Sequence, residues 1–188
     1  MSKKIIIQNQ QYNCIKEIVQ TLLSGGIVIM PSDTIYGFLF TQKNEQKVRD
    51  IKKRDKKPFL YLIDDLSRLK ALDIDLKPYQ DILLKNWPGP FTFILEDQQK
   101  KTVGVRWPDW SVLQDIIAQC NQPLLSTSIN LSGQPALNQP EKIEQYFGRQ
   151  VDLMVFDTAF KASGASTIVQ VNDQNYHVIR TGDQELVC

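Results

Sequence analysis

The sequence predicts an α/β fold: a twisted, open, mixed sheet with flanking helices. Three observations carry that expectation. Apolar runs of strand length recur at residues 27–30, 59–63, 91–95, 103–107, 153–156, 167–171 and 176–179. Helical patterns separate some of these runs while others follow one another directly, so a strict strand–helix–strand repeat does not fit. The 188 residues, 42% hydrophobic and 23% charged, suit one globular domain over residues 1–188 with a sizeable core.

A short apolar run, Ile5-Ile6-Ile7, opens the chain. Cys14, Ile15, Ile18, Val19, Leu22 and Leu23 then fall at helical spacing, and Gly25-Gly26 supplies the stop. Residues 27–30 read as a buried strand ended by Pro31. Residues 43–54 read as a polar helix and 59–63 as a strand. Residues 66–72 and 79–87 are helical in pattern, with Pro78 placed to open the second. Beyond residue 90 the period changes. Residues 91–95 and 103–107 are strand-like, 112–120 form an amphipathic helix, and Leu124-Leu125 leads into a polar loop. Pro140 starts a short helix that ends at Gly148, and three further strands follow.

Charge and composition exclude several classes. Lys plus Arg number 22 against 21 Asp plus Glu, a formal net charge of +1. A generally cationic nucleic-acid coat does not fit, although a local basic patch does. No apolar run approaches the roughly 20 residues of a membrane helix, and residues 1–8 turn polar too early for a signal peptide. Cys14, Cys120 and Cys188 are scattered and odd in number, the pattern of reduced thiols in a cytoplasmic protein. The P-loop pattern GxxxxGK(S/T), GxGxxG and GxSxG are all missing. His177 is the single histidine, which leaves a Ser-His-Asp hydrolase little support. No His, Cys, Asp or Glu cluster has metal-ligand spacing, so a metal is expected to arrive with a ligand.

Four polar, turn-rich segments adjoin strand signals, where binding groups concentrate. In Pro31-Ser32-Asp33-Thr34-Ile35-Tyr36-Gly37, hydroxyls and a carboxylate end a strand; the plainer reading is a turn in which Asp33 satisfies backbone amides. Between Lys43 and Lys57 lie eight basic residues against Glu45, Asp50 and Asp55. That is either a local anion field or a solvated helix end. Residues 123–133 hold Ser126, Thr127, Ser128, Asn130 and Ser132, neutral donors able to surround phosphate oxygens, or a polar turn. Finally, Ser166-Thr167 and Arg180-Thr181-Gly182 bring hydroxyls and an arginine to strand ends, where guanidinium can clamp phosphate.

Read together, these segments resemble the YrdC/TsaC family of L-threonylcarbamoyladenylate synthases. The family pattern runs P-T-(D/E)-T-x-Y-G, K-x-R, W-P-G-P-(L/V)-T, V-R-x-P, S-x-(S/A)-N-x-S-G, a Ser-Thr pair and R-x-G. The counterparts here are residues 31–37, Lys52-Lys53-Arg54, Trp87-Pro88-Gly89-Pro90-Phe91-Thr92, Val105-Arg106-Trp107-Pro108, residues 126–133, Ser166-Thr167 and Arg180-Thr181-Gly182. All seven fall in the family's order. Four departures stand out. Ser32 replaces a Thr, and the stretch from Arg54 to Pro58 is one residue short, with Asp55 in place of a Pro. Leu62 stands where some members have a His, and Ala165 where many have a Glu.

The resemblance implies an open α/β sheet whose concave face holds the active site. It implies formation of threonylcarbamoyl-AMP and pyrophosphate from L-threonine, bicarbonate and ATP, for N6-threonylcarbamoyladenosine in tRNA. By position, the threonine pocket falls on Thr34, Arg106, Ser126 and Ser166. The nucleotide side falls on Lys52, Arg54, Lys57, Thr102, Ser128, Asn130 and Arg180, with Mg2+ brought by ATP. Residues 87–90 read as a structural turn. No catalytic nucleophile is implied. Implied partners are the threonylcarbamoyl transferase proteins that use the product, and tRNA or double-stranded RNA. Two other readings are a double-stranded RNA-binding module and a carbamoyl-adenylate former of the hydrogenase-maturation type. The first lacks a recognisable RNA-binding motif, and the second belongs to much longer, cysteine-rich chains.

Overall fold

Strands whose neighbouring side chains are all apolar must be covered on both faces, and that requirement organises the molecule. The computed structural model describes residues 2–8, 11–54, 57–172 and 175–187. Its strands are β1 (Lys3–Ile7), β2 (Val28–Pro31), β3 (Tyr36–Phe40), β4 (Leu60–Leu62), β5 (Phe91–Glu96), β6 (Thr102–Arg106), β7 (Leu124–Ser128), β8 (Leu153–Asp157), β9 (Thr167–Asn172) and β10 (Asn175–Arg180). The helices are α1 (Ile15–Leu23), α2 (Glu45–Lys52), α3 (Gln80–Asn86), α4 (Ser111–Cys120) and α5 (Pro140–Phe147). Short 3-10 turns cover Gln42–Asn44 and Leu66–Leu72.

One sheet runs β1-β8-β2-β3-β7-β4-β6-β5-β9-β10. β8 pairs parallel with β1 and β2, as do β4 with β6 and β5 with β9. The remaining neighbours are antiparallel. The sheet is therefore mixed and open, as the sequence predicts.

Successive strand residues point to opposite faces, and the core divides accordingly. Val28, Met30, Leu39, Leu153 and Val155 face one cluster, which α1 and α4 close with Ile18, Leu22, Ile116 and Ile117. Ile29, Phe38, Phe40, Met154 and Phe156 face the other, which α2 and α5 close with Val48, Ile143 and Phe147. At the β5–β6–β9 end, Phe91, Phe93, Val105 and Val169 pack against Leu69, Tyr79 and Leu83. Their alternates Thr92, Ile94, Thr102, Gly104, Arg106 and Ile168 instead line a cavity. Half of the sheet thus keeps one face free for a site.

Two elements differ from the sequence reading. Residues 126–128 belong to β7 rather than to a loop. The strand is hydrogen-bonded on both sides, Gly37 pairing with Ser128 and Leu60 with Ser126. Its hydroxyls are tolerated because all three residues line the cavity, Thr127 Oγ1 from the other strand face accepting from Arg54 Nη1 at 3.5 Å. β3 has no counterpart in the sequence reading: Phe38, Leu39 and Phe40 are all buried, so the period-two signal that marks a half-exposed strand is missing. Among the described residues, no helix is long and apolar enough to cross a membrane.

Phe147 closes the second cluster edge-to-face on Phe38, with centroids 5.3 Å apart. Phe147→Ala should cost about 3–5 kcal/mol by the usual cavity penalty for a buried aromatic. Urea denaturation, with the loss appearing in the midpoint and not in the slope, is the measurement.

Candidate active site

The cavity encloses about 500 Å3 between the strand ends of β2, β3 and β7 and the free face of β4, β6, β5, β9 and β10. Its lining includes Thr34, Arg54, Thr102, Arg106, Ser126, Ser128, Asn130, Ser166 and Arg180, nine of the eleven positions that the resemblance implies. Thr102 is exposed at the rim. Lys52 and Lys57 are not brought into the lining.

Arg106 ends β6 and is only 4% exposed. Its Nη2 donates to Asp33 Oδ2 at 2.5 Å, its Nη1 to Thr34 Oγ1 at 2.9 Å and its Nε to the Gly89 carbonyl at 3.2 Å. Burial pushes the guanidinium down from its ordinary range, and the Asp33 charge opposes that. Asp33 Oδ2 also accepts from the Asp109 amide at 3.2 Å. Asp33 is therefore more than a turn residue, since its carboxylate is the counter-ion of the buried arginine. Ser32, in the position of the family's Thr, keeps the turn: its Oγ donates to the Ile35 carbonyl at 2.8 Å and lies 3.0 Å from Thr34 Oγ1. The Trp87–Pro90 turn lines nothing but supplies the Gly89 carbonyl. Trp87 Nε1 fixes it by donating to the Phe91 carbonyl at 2.7 Å.

Ser166 and Arg180 form one unit. Arg180 Nη2 donates to the Ser166 carbonyl at 2.7 Å and lies 3.3 Å from its Oγ, while Nε reaches the same carbonyl at 3.1 Å. Ser166 Oγ also lies 2.8 Å from Thr92 Oγ1. The threonine side and the nucleotide side implied by the resemblance therefore touch here. Burial, then repulsion from Arg106, lowers the Arg180 pKa.

Arg54 follows α2. Its Nη2 donates to the Pro58 carbonyl at 2.7 Å and its Nε to the Lys57 carbonyl at 3.1 Å, while its guanidinium sits over the Phe59 ring at 5.0 Å. Burial and Arg49 both lower its pKa. Lys57 contributes that carbonyl while its side chain points to solvent; Asp55 lies outside the described residues.

Lys52 departs furthest from the expectation of a solvated, ligand-facing cation. It ends α2 and is wholly enclosed. Its ammonium donates to the Ser128 carbonyl, to the Asn130 carbonyl at 2.9 Å and to Asn130 Oδ1 at 2.6 Å. The hydrophobic face of α2 turns Lys52 inward because it lies four residues after buried Val48.

Among the described lining residues three guanidiniums face a single carboxylate, Asp33, with no histidine, lysine or cysteine. Such an arrangement binds and orients anions; it offers no side-chain nucleophile of the usual activated kind. Local sequence held no sign of Asp33 as a counter-ion. Thr92 carried a faint one, as the polar alternate between Phe91 and Phe93.

The fold and this site place the protein in a defined class. The Sua5/YciO/YrdC family model, described as Telomere recombination, matches residues 20–182, and the chain belongs to that family. The chain is 28% identical to an uncharacterised Escherichia coli protein, YciO, over 93% of this chain and 91% of that one. The crystal structure of E. coli YciO superposes with a TM-score of 0.84, covering 98% of both chains at 26% identity. A Methanocaldococcus jannaschii protein named putative threonylcarbamoyl-AMP synthase is 27% identical over 93% of this chain and 88% of its own. The crystal structure of P. abyssi Sua5 complexed with L-threonine shares the fold, with a TM-score of 0.86 at 19% identity, over 96% of this chain and 58% of that one.

Asp33→Ala would leave the enclosed Arg106 without its counter-ion. A loss of about 3–5 kcal/mol is expected, as for any buried pair broken on one side. Asp33→Asn, which keeps an acceptor for Nη2, should lose less. Equilibrium denaturation of the two variants side by side tests the order.

Proposed function

We propose that the chain is a threonylcarbamoyl-AMP synthase, an enzyme joining L-threonine, bicarbonate and ATP into L-threonylcarbamoyladenylate and pyrophosphate. Its product would supply threonylcarbamoyl transferase proteins for N6-threonylcarbamoyladenosine in tRNA. The observation that carries the reading is the cavity in which Arg54, Arg106 and Arg180 meet Ser and Thr hydroxyls. The names of the M. jannaschii relative and of the threonine-bound P. abyssi protein support the same choice.

The chemistry asks for what this cavity has. The threonine amine takes up CO2 from bicarbonate to give a carbamate. A carbamate oxygen attacks the α-phosphorus of ATP, the bond from that phosphorus to the bridging oxygen breaks, and pyrophosphate leaves with the electron pair. No protein nucleophile takes part, so catalysis rests on holding two anions in line and on stabilising the leaving charge. A guanidinium has five N–H donors, and Arg106 uses three directions on Asp33, Thr34 and Gly89. The remaining donors are assigned to the threonine carboxylate, with Ser126 and Ser166 beside it. Arg54, Thr102, Ser128 and Asn130 are assigned to the nucleotide, and Arg180, bonded to Ser166, to the junction of the two. Burial lowers all three arginines, and Arg54 and Arg180 are lowered further by a neighbouring guanidinium, a cost that a polyphosphate would oppose. Mg2+ would accompany the triphosphate, because the one carboxylate in the lining is committed to Arg106.

Purified protein should release pyrophosphate from ATP only with L-threonine and bicarbonate both present. Release with carbamoyl phosphate in their place would transfer the reading to carbamoyl-adenylate formation, and RNA association without pyrophosphate release would transfer it to a binding module. Arg106→Lys, which cannot reproduce a two-pronged contact, should raise the threonine requirement about tenfold or more, the worth of a charge-assisted hydrogen bond. ATP affinity measured calorimetrically without threonine should stay near the parent value.

A further inference from the structure

An ammonium has three hydrogens to donate and no acceptor of its own. In Lys52 all three directions are taken, by the Ser128 carbonyl, the Asn130 carbonyl and Asn130 Oδ1. The link is doubled in the backbone, where the Ser132 amide donates to the Lys52 carbonyl at 2.9 Å. α2 is thereby stapled to the turn that leaves β7. The staple also decides which way the Asn130 amide faces. Its Oδ1 is drawn inward to Lys52 and accepts from Ser128 Oγ at 2.8 Å, so Nδ2 turns outward and donates to the Gln134 carbonyl at 2.6 Å. The ammonium itself lies over the Phe38 ring, 5.5 Å from its centroid, beneath the turn and away from the cavity.

We infer that Lys52 is a positioning residue: its enclosed ammonium builds the Ser128–Asn130 turn, which presents the anion-binding groups, and does not itself touch the anion. The inference rests on the reading of the cavity as a nucleotide site only for the identity of that anion.

The electrostatics give the residue a second property. Lys52 forms no ion pair with any described carboxylate. Among the described residues the charged group that faces it is Arg54, a like charge, while Arg49, one helical turn back, is paired with Glu45 at 2.7 Å. An enclosed cation without a counter-ion is held at a cost. Burial, with help from Arg54, pulls Lys52 from its ordinary value of 10.5 down to about 7. A neutral amine has two hydrogens and a lone pair, so one of the three acceptors would then face a lone pair. An anion seated on the far side of the turn supplies the missing opposite charge, raises the Lys52 pKa and draws a proton in. In the ligand-free protein the sign runs the other way. Above about pH 7 the unfolded chain holds a proton that the folded chain has lost, so this residue makes stability rise with pH towards the unfolded value.

The test uses the full chain, MgATP as the anion, and the variants Lys52→Met, Asn130→Ala, their double mutant, and Asn130→Asp. Hydrogen exchange of the ligand-free protein comes first: Lys52→Met should speed exchange of the Ser132 amide at least about tenfold, the worth of one or two hydrogen bonds. Titration calorimetry follows, in buffers of different ionisation heat between pH 6.5 and 8.5. Either single variant should weaken MgATP by about 10- to 100-fold, and the double mutant should be no weaker than the worse single, because both remove one structure. Parent protein should take up protons on binding, and Lys52→Met should not. Losses that multiply in the double mutant would show Lys52 gripping the nucleotide directly and overturn the inference, as would unchanged exchange at Ser132 or proton uptake that survives in Lys52→Met. Asn130→Asp covers the case in which Lys52→Met does not fold. By giving the ammonium a counter-ion, at the cost of the Nδ2 bond to Gln134, it should flatten the rise of stability with pH; an unaltered pH dependence overturns the inference. If the parent chain binds no MgATP, the nucleotide reading fails, while exchange and stability still decide the role of Lys52.

Discussion

Much of the site follows from the need to keep one guanidinium charged inside the protein. Arg106 is the last residue of β6, and the alternation of the strand directs it to the face opposite Val105 and the core. Enclosed to that degree it cannot rely on water, so it collects partners from segments far away in sequence: Asp33 and Thr34 from the turn between β2 and β3, and the Gly89 carbonyl from the turn before β5. Those contacts fix three loops relative to one another. The cavity is the space left between them, and its shape is tied to the pairing of Arg106 with Asp33.

The sheet makes that space available. Where β8, β2 and β3 run together, both faces are closed by helices and the strands are mostly apolar, β8 ending in the buried Asp157. Towards β6, β5 and β9 only one face is closed, and the other carries Thr92, Thr102 and Gly104. Pure hydrophobic runs and alternating runs in the same sheet therefore mark the scaffold and the floor of the site.

Two buried cations in this site are balanced differently. Arg106 has a carboxylate and keeps its charge in a fixed frame. Among the described residues Lys52 has only carbonyl and amide oxygens as partners, so its charge is held at a cost. Arg54 and Arg180, both lowered by burial, add two further guanidiniums to the cavity wall.

The sequence by itself determined a good deal. Helical spacing and Gly25-Gly26 placed α1, Pro140 placed α5, and the apolar runs placed most of the strands, because these are set by local period and backbone restriction. The seven motifs in order carried the family, and nine of the eleven positions that the resemblance implies meet in one cavity. Other features only the tertiary structure could decide. β3 was hidden because strands buried on both faces have no period of two. Residues 126–128 read as a polar loop, since nothing local says that a central strand has a face open to a cavity. Lys52 and Asp33 lie among polar neighbours in the chain, where a charged side chain is ordinarily solvated. Their burial, and the partners that make it tolerable, come from residues 76 and 73 positions away respectively. A charge acquires such a role only through what the fold packs around it.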